Sequence, residues 1–138
     1  MDRVAHETLV IKKIKEFEFD YIVLAKYMRI LTANFVDQFQ HKMINIHHSF
    51  LPAFIGANPY RQAYNRGVKI IGATAHFVTG DLDEGPIIEQ GIQRISHKYS
   101  VKEMAKAGRD VERDVLFNAL KKVFEDRVMI NGRKTIVF

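Results

Sequence analysis

Hydrophobic positions in the first third of the chain follow helix and strand spacings in turn. An incomplete apolar stripe over residues 4–18 predicts a helix. Residues 21–25 are apolar at every position, which is typical of a strand buried on both faces of a parallel sheet. Thr32 is suited to cap a short helix that runs through Phe39, and residues 43–46 predict a second strand.

Two further helices carry clear start and stop signals. The Asn-Pro pair at 58–59 suits an N-cap followed by the first helical position, and Gly67 suits the end of that helix. Ser100 and Glu103 have the spacing of a capping box. The apolar positions that follow predict a long helix ending near Phe124.

The remaining apolar patterns predict strands, and together with the helices they indicate the fold class. Residues 68–78 and 86–95 read as two strands joined by the loop 79–85, most simply as an antiparallel pair. An Asn-Gly pair at 131–132 predicts a hairpin near the C-terminus. We therefore expect an α/β fold whose sheet starts parallel, becomes mixed and is flanked by helices.

Composition adds limits to this picture. The chain has 138 residues, which indicates a single domain, and 47% of them are hydrophobic and 27% charged, as in globular proteins. No apolar run approaches the roughly 18 residues of a membrane span, and the N-terminus lacks the apolar core of a signal peptide. The chain contains no cysteine, which excludes disulfides, thiolate catalysis and cysteine-bound metals. A cytoplasmic location is the expectation.

The net charge of +5 permits an anionic partner but does not indicate one. The basic residues are scattered, with no run of five like charges and no stripe interleaved with aromatic residues. A solvated lysine-rich surface is the more common reason for such a charge. We therefore expect neither a nucleic-acid partner nor a membrane partner.

Asn45 and His47 are the first candidates for chemistry, because they lie two residues apart where the second strand is expected to end. Side chains at that spacing point to the same face, and ligands bind at the carboxyl ends of strands in open α/β sheets. An amide donor beside a group that titrates near neutral pH suits acyl chemistry. The alternative is that Asn45 stabilises a turn and His47 is an ordinary polar residue with a partner.

Asp83 and His76 are the other candidates. Asp83 lies in an acidic, glycine-flanked loop of a kind that is usually just solvated, but a carboxylate there can raise the pKa of His47 and orient its ring. His76 lies within a predicted strand, where a buried histidine with a partner is the commoner explanation. These histidines and Asp83 lack the spacing of a known metal motif, so we expect no metal site.

The motif Asn45-Ile46-His47, followed by Leu51-Pro52 and by Asp83 before Gly85, resembles the formyltransferase catalytic-domain family. Members of that family use 10-formyltetrahydrofolate. The double histidine and the segment Phe-Ile-Gly-Ala-Asn-Pro-Tyr are similar to members that hydrolyse the formyl group, since members that transfer it usually carry proline at position 48. Residues 24–31, 72–90 and 127–138 also fit the family.

The resemblance implies a function and a catalytic trio. The reaction is hydrolysis of 10-formyltetrahydrofolate to formate and tetrahydrofolate, which supplies formate to purine biosynthesis and needs no tightly bound cofactor. Asn45 is expected to hold the formyl oxygen and His47 to act as acid or base, with protonation of the departing folate nitrogen as its expected step. Asp83 is expected to orient His47 and help to position the attacking water. The resemblance gives no role for His48.

The resemblance also implies a slot for the pterin ring of folate. One wall of this slot is a segment that binds largely through its backbone, formed by Met28, Arg29, Ile30 and Leu31. The other wall is residues 78–82, including Val78, Thr79 and Leu82. His76 is expected to support Asp83 or a bound water. These roles come from the resemblance and not from the composition or spacing of the residues.

The resemblance further implies that the chain is the C-terminal part of the family's catalytic domain, without an ACT domain and without the first strand–helix units. The strand at 21–25 is then expected to expose an unpaired apolar edge that invites a second copy or a complementing chain. Two other functions stay open. The chain can be a truncated or split folate-binding or interaction module without catalysis, or it can transfer the formyl group to an amine.

Overall fold

The protein is described by a computed structural model that covers residues 2–27, 29–50 and 52–138. These residues form helices and strands in the order expected of an α/β fold. The elements are α1 (Arg3–Ile14), β1 (Ile22–Ala25), α2 (Ala33–Gln38), β2 (Met43–Phe50), α3 (Pro59–Arg66), β3 (Ile70–Phe77), β4 (Ile87–Arg94), α4 (Val101–Phe124), β5 (Val128–Asn131) and β6 (Lys134–Val137).

The main sheet has the strand order β1-β2-β3-β4. β1 runs parallel to β2, whereas β2 with β3 and β3 with β4 are antiparallel. The prediction of a sheet that starts parallel and becomes mixed is therefore confirmed. β5 and β6 form a separate hairpin.

The prediction that β1 is buried on both faces is wrong. Ile22 and Leu24 are half-buried, whereas Val23 and Ala25 are exposed. β1 is an edge strand, and no strand among the described residues pairs with its outer side. Within the described residues, the apolar side chains of β1 are therefore covered on one face of the strand only.

The two faces of the sheet differ in chemistry because the side chains of β2 alternate. Ile44 and Ile46 point toward α4 and pack with its residues Val111 and Val115 in the main core. On the other face Met43 packs against the residues of α1 and α2 in a smaller core. Beyond that smaller core the same face carries the polar residues of β2 and β3, and the candidate site lies there.

Two element boundaries differ from the sequence predictions for identifiable reasons. β2 continues to Phe50 rather than ending at Ile46, because its pairing with β3 extends through Phe50. Asn45 and His47 therefore lie inside a strand and not at its end. In the hairpin, Asn131 pairs with Lys134, so the two turn residues are one position later than predicted, with Gly132 at a φ of 61°.

The helix ends follow the predicted capping chemistry in most places. The Ser100 hydroxyl and the Glu103 carboxylate accept reciprocal backbone hydrogen bonds, and the Thr32 hydroxyl accepts one from Phe35 N–H. Asn58 precedes α3 as predicted, but its backbone is left-handed and its side chain makes no capping hydrogen bond. In residues 2–27, 29–50 and 52–138, we find no helix that combines the length and the apolar character of a membrane span.

Candidate active site

Asn45 and His47 lie on one face of β2, and His76 of β3 joins them there. Asn45 is opposite His76 in the antiparallel pairing, and His47 is opposite Thr74. Alternate residues of paired strands share a face, so the pairing gathers these polar side chains. β1 ends level with Ile46, which places His47 just beyond the carboxyl end of β1. Open α/β sheets bind their ligands in such positions.

Asp83 reaches this group from the loop between β3 and β4. Its Oδ1 atom lies 3.6 Å from His47 Nδ1 and 3.7 Å from His76 Nε2. The two imidazole rings are 5.1 Å apart at their centroids. Both oxygen–nitrogen distances are too long for direct hydrogen bonds, so Asp83 acts on the rings through its charge or through a shared water.

The loop backbone holds Asp83 in this place. Asp83 has a φ of 55°, in the left-handed region that few residues other than glycine, asparagine and aspartate adopt. Gly85 passes so close to β3 that a Cβ atom there would lie 1.6 Å from the Phe77 carbonyl oxygen. Phe77 N–H donates to the Pro86 carbonyl over 2.9 Å. A larger residue at position 85 would lift Asp83 away from the histidines.

The orientation of His76 leaves polar atoms aimed into the site. The Nδ1 atom of this buried ring lies 2.8 Å from the Phe77 carbonyl, so Nδ1 carries the proton and donates it. Nε2 then faces Asp83 Oδ1, 3.7 Å away. Among the described residues Asn45 Oδ1, His47 Nδ1 and His76 Nε2 are buried without a hydrogen-bond partner. Native proteins rarely leave such atoms unpaired, so their convergence indicates a site that binds a polar ligand or water.

The environment favours the neutral form of His47. Burial lowers the pKa of its imidazole, and the neighbouring His76 and His48 lower it further. The charges of Asp83 and Glu112 act in the opposite direction but do not outweigh burial. His47 is therefore neutral at pH 7 and able to accept a proton.

His47, His76 and Asp83 are also the described residues best placed to hold a metal ion. Each offers one ligand atom, and these atoms lie within 4.8 Å of one another. Two imidazoles and one carboxylate form a donor set that zinc accepts. The expectation that the site works without a metal stays a prediction.

A narrow cavity lies on one side of Asp83, where the family resemblance predicts the pterin slot. It contains about 30 Å³ of space, roughly one water molecule. The walls must therefore separate before a pterin ring can enter. The lining includes each substrate-binding residue that the sequence suggested and the structure describes: Arg29, Ile30, Leu31, His76, Val78, Thr79 and Leu82. Met28 lies outside the described residues.

A second cavity, of about 150 Å³, lies on the other side of Asn45 and Asp83. It is lined by His47 and also by His48, Glu112, Lys26 and Tyr27. Sequence reasoning did not single out Glu112, Lys26 or Tyr27. Glu112 is one charged residue among many on a long helix, and only the packing of α4 against β2 brings it to the site.

A larger cavity lies elsewhere. It has a volume of about 750 Å³ and lies along the opposite end of β1, beside Tyr21, Val23 and Phe124. It contains no member of the group around Asp83. None of the residues that line it carries one of the buried, unpartnered polar atoms, so we place the candidate site at the smaller cavities.

Comparisons with protein families and with curated proteins point to the same family. The formyl transferase family profile matches residues 2–120. The chain is 56% identical to a formyltetrahydrofolate deformylase of Haemophilus influenzae and 54% identical to one of Bacillus subtilis, in each case over 99% of the chain. It covers 49% and 45% of those two proteins, so it spans about half the length of the curated relatives it matches.

Solved structures agree with the sequence comparison. The crystal structure of a formyltetrahydrofolate deformylase from Burkholderia mallei superposes with a TM-score of 0.93 at 47% identity, over 99% of this chain and 48% of that one. A glycinamide ribonucleotide transformylase from Symbiobacterium toebii superposes with a TM-score of 0.87 at 33% identity, over 99% of this chain and 65% of that one. The matched residues include the strands and the loop that carry Asn45, His47 and Asp83. By sequence and by fold, the chain belongs to the formyl transferase family.

Proposed function

We propose that the chain hydrolyses 10-formyltetrahydrofolate to formate and tetrahydrofolate, with Asn45, His47 and Asp83 as the catalytic residues. The observation that carries the proposal is the convergence of buried, unpartnered polar atoms of Asn45, His47 and His76 around the Asp83 carboxylate. The choice of substrate is supported by relatives named formyltetrahydrofolate deformylase, which match nearly the whole chain.

The geometry supports a simple sequence of steps. A water oxygen attacks the formyl carbon while neutral His47 accepts a proton from that water. The Asn45 amide donates a hydrogen bond to the formyl oxygen, on which negative charge develops. The bond from carbon to the folate nitrogen then breaks, and His47 returns the proton to that nitrogen. The formic acid formed ionises to formate and releases one proton to solvent.

Asp83 contributes through its charge. It lies close to both imidazoles, so it stabilises the imidazolium that His47 becomes during the reaction. Its position between the two cavities also puts it within reach of the attacking water. In this scheme folate is the substrate and enters through the slot beside Leu31 and Val78, whose walls move apart to admit it.

Formate release from 10-formyltetrahydrofolate tests the proposal directly. We expect Asn45→Ala and Asp83→Asn to lower kcat by about a hundredfold, since each removes a group that acts on the transition state. Asparagine suits position 83 because it tolerates the left-handed backbone.

Matched controls come from the exposed surface of α4. Asn118→Ala and Asp114→Asn change the same residue types away from the site, and we expect wild-type rates from both. The proposal is wrong if the wild-type chain, at high protein concentration, releases formate no faster than the Asn45→Ala variant.

A non-catalytic folate-binding or interaction module is the second candidate. The narrowness of the slot and the unpaired edge of β1 favour it. Tight binding of a folate without formate release by the wild type would identify this function. A third outcome, formyl transfer to an added amine, would appear as formylated amine in place of formate.

We also propose that the chain associates through the outer edge of β1, with a second copy of itself as the partner. Edge strands with apolar side chains pair readily with other chains. Val23 is 38% exposed on this strand, and a cavity of about 750 Å³ runs beside it.

A further inference from the structure

The cavity beside Asp83 contains a second imidazole–carboxylate pair, made by His48 and Glu112. His48 Nδ1 lies 3.7 Å from Glu112 Oε1, and their side chains are 26% and 22% exposed. Neither residue has a part in the steps described above. Half-buried titratable groups that line a reactive cavity are candidates for a functional role.

The end of β1 explains how His48 reaches the same cavity as His47. Consecutive residues of a strand point to opposite faces, so the two histidines should be separated by the sheet. The pairing of β1 with β2 ends at Ala25 opposite Ile46, and the chain then turns away at Lys26, which has a φ of 56°. Beyond this point β1 no longer covers the edge of β2, and the cavity is open to side chains from both faces.

Packing fixes the second pair in place. The His48 ring packs at a tilt against the rings of Phe50 and Tyr60, at centroid distances of 5.2 and 5.8 Å. Tyr60 in turn lies across Gly108 of α4, where a Cβ atom would come within 1.8 Å of the tyrosine hydroxyl oxygen. Burial and the nearby charge of Glu112 raise the pKa of Tyr60 to about 12, so its hydroxyl stays protonated.

The two cavities divide the space around the reacting group. Both are lined by Asn45 and Asp83, and on one side the lining continues along Arg29 and Val78 as the slot proposed for folate. The other side is then the approach for the second reactant. Its volume of about 150 Å³ is room for about five water molecules and is below the roughly 300 Å³ typical of sites for larger ligands.

We propose that His48 and Glu112 bind the water that attacks the formyl carbon and thereby direct the formyl group to water rather than to an amine. The inference rests on the proposed hydrolysis. Glu112 accepts a hydrogen bond from the water and His48 forms another with it. His47 still takes the proton, so the chemistry of the reaction is unchanged.

The separation of the pair supports this role. A distance of 3.7 Å is too long for a direct hydrogen bond between His48 and Glu112, and polar groups so placed are commonly bridged by a water. A water held there is next to His47 and Asp83 in the same cavity. The pair thus offers two fixed hydrogen-bonding groups on the side from which the nucleophile arrives.

Two near-isosteric variants test the assignment in the full chain. Glu112→Gln removes the charge and keeps the shape, and His48→Phe keeps an aromatic ring against Phe50 and Tyr60 and removes both nitrogens. Each is assayed for formate release and, with hydroxylamine added, for N-hydroxyformamide. In that product the hydroxylamine nitrogen has bonded to the formyl carbon, and its proton has passed to the folate nitrogen. His97→Ala, an exposed histidine away from the site, is the control.

We expect both variants to lower kcat for hydrolysis by about tenfold to a hundredfold, with KM for the folate changed less than about twofold. We also expect the share of formyl groups captured by hydroxylamine to rise, because the site no longer binds the competing water. Unchanged kcat in both variants overturns the inference, as does an equal fall of both products. If the wild type releases no formate, the proposed function fails, and this inference fails with it.

Discussion

The lowered pKa of His47 is the residue property that most constrains the proposed reaction. Burial is its main cause, so the neutral imidazole, which accepts the proton of the attacking water, is the form present at pH 7. As the pH falls through this lowered pKa, His47 becomes charged and can no longer act as base. We therefore expect kcat/KM to decline on the acid side with an apparent pKa below the ordinary histidine value of about 6.5.

The direction in which the pKa of His47 changes in variants checks this explanation. Asp83 and Glu112 raise the pKa of His47, so Asp83→Asn and Glu112→Gln should each lower it further, and Asp83→Asn more so. NMR titration of the imidazole protons, with His47→Gln to assign the signal, measures the pKa without requiring turnover. An increase in the His47 pKa in Asp83→Asn would contradict the assignment, and His97→Ala should leave it unchanged.

The candidate residues themselves could be found from the sequence, but their partners could not. Asn45 and His47 share a face because strand geometry fixes the direction of alternate side chains. The approach of Glu112 to His48, by contrast, depends on how α4 packs across the sheet, and no local pattern encodes it. The tight contact of Gly85 with Phe77 likewise cannot be predicted from the sequence, because it depends on how β3 and β4 lie side by side.

Among the helices, α1 has a specific contact that positions one wall of the slot. The buried Glu7 carboxylate accepts hydrogen bonds from the Thr32 N–H, over 3.2 Å, and from the Thr32 hydroxyl, and it pairs with Arg3. Burial raises the pKa of Glu7, but these hydrogen bonds and the charge of Arg3 outweigh burial and lower it overall. Arg3 also donates to the Ile30 carbonyl, which ties α1 to the slot wall itself.

We expect Glu7→Gln to reduce the free energy of unfolding at pH 7 by about 1–2 kcal/mol, because a charged acceptor of several hydrogen bonds is lost. The folded-state pKa of Glu7 is below its unfolded value, so its contribution is present above about pH 4.3 and is lost as the pH falls through the folded value. Urea unfolding at pH 7 and in the acid range should therefore show the variant and the wild type converging at low pH.

Glu16→Gln is the matched control for this experiment, because Glu16 lies just after the end of α1 and forms an exposed pair with Lys13. Exposed pairs contribute little, so the control should stay within about 0.5 kcal/mol of wild type. We also expect Glu7→Gln to raise KM for the folate more than it changes kcat, since it loosens a wall of the slot. A variant as stable as wild type at pH 7 would show that the contact does not hold α1.

The elements also show where sequence patterns are reliable. The capping box at Ser100 depends on residues close in sequence, and it is present as predicted. The length of β2 was underestimated because residues 47–50 lack strand-like apolar alternation, and its extension is set by pairing with β3. The sequence does not predict the exposure of β1, because an apolar run shows that its residues are hydrophobic but not whether a neighbouring layer covers them.

For the whole molecule, the outer edge of β1 sets the expected state of association. Among the described residues this edge has no strand partner, and Val23, Tyr21 and Phe124 present apolar surface beside the cavity of about 750 Å³. Backbone groups left unpaired at an apolar edge are satisfied when another strand adds to the sheet. We expect the average mass in sedimentation velocity to rise with protein concentration above that of a monomer.

Val23→Lys places a charge on the edge strand, a change that blocks edge pairing, and it should keep the chain monomeric over the same concentrations. Met129→Lys is the control, because Met129 is similarly exposed but lies on the separate β5–β6 hairpin. It should associate like the wild type. If association supports the sheet that carries Asn45 and His47, the formate release per chain should also increase with concentration in the wild type and in Met129→Lys, but not in Val23→Lys. A wild-type chain that stays monomeric at high concentration and releases formate at a constant rate per chain would show that β1 needs no partner.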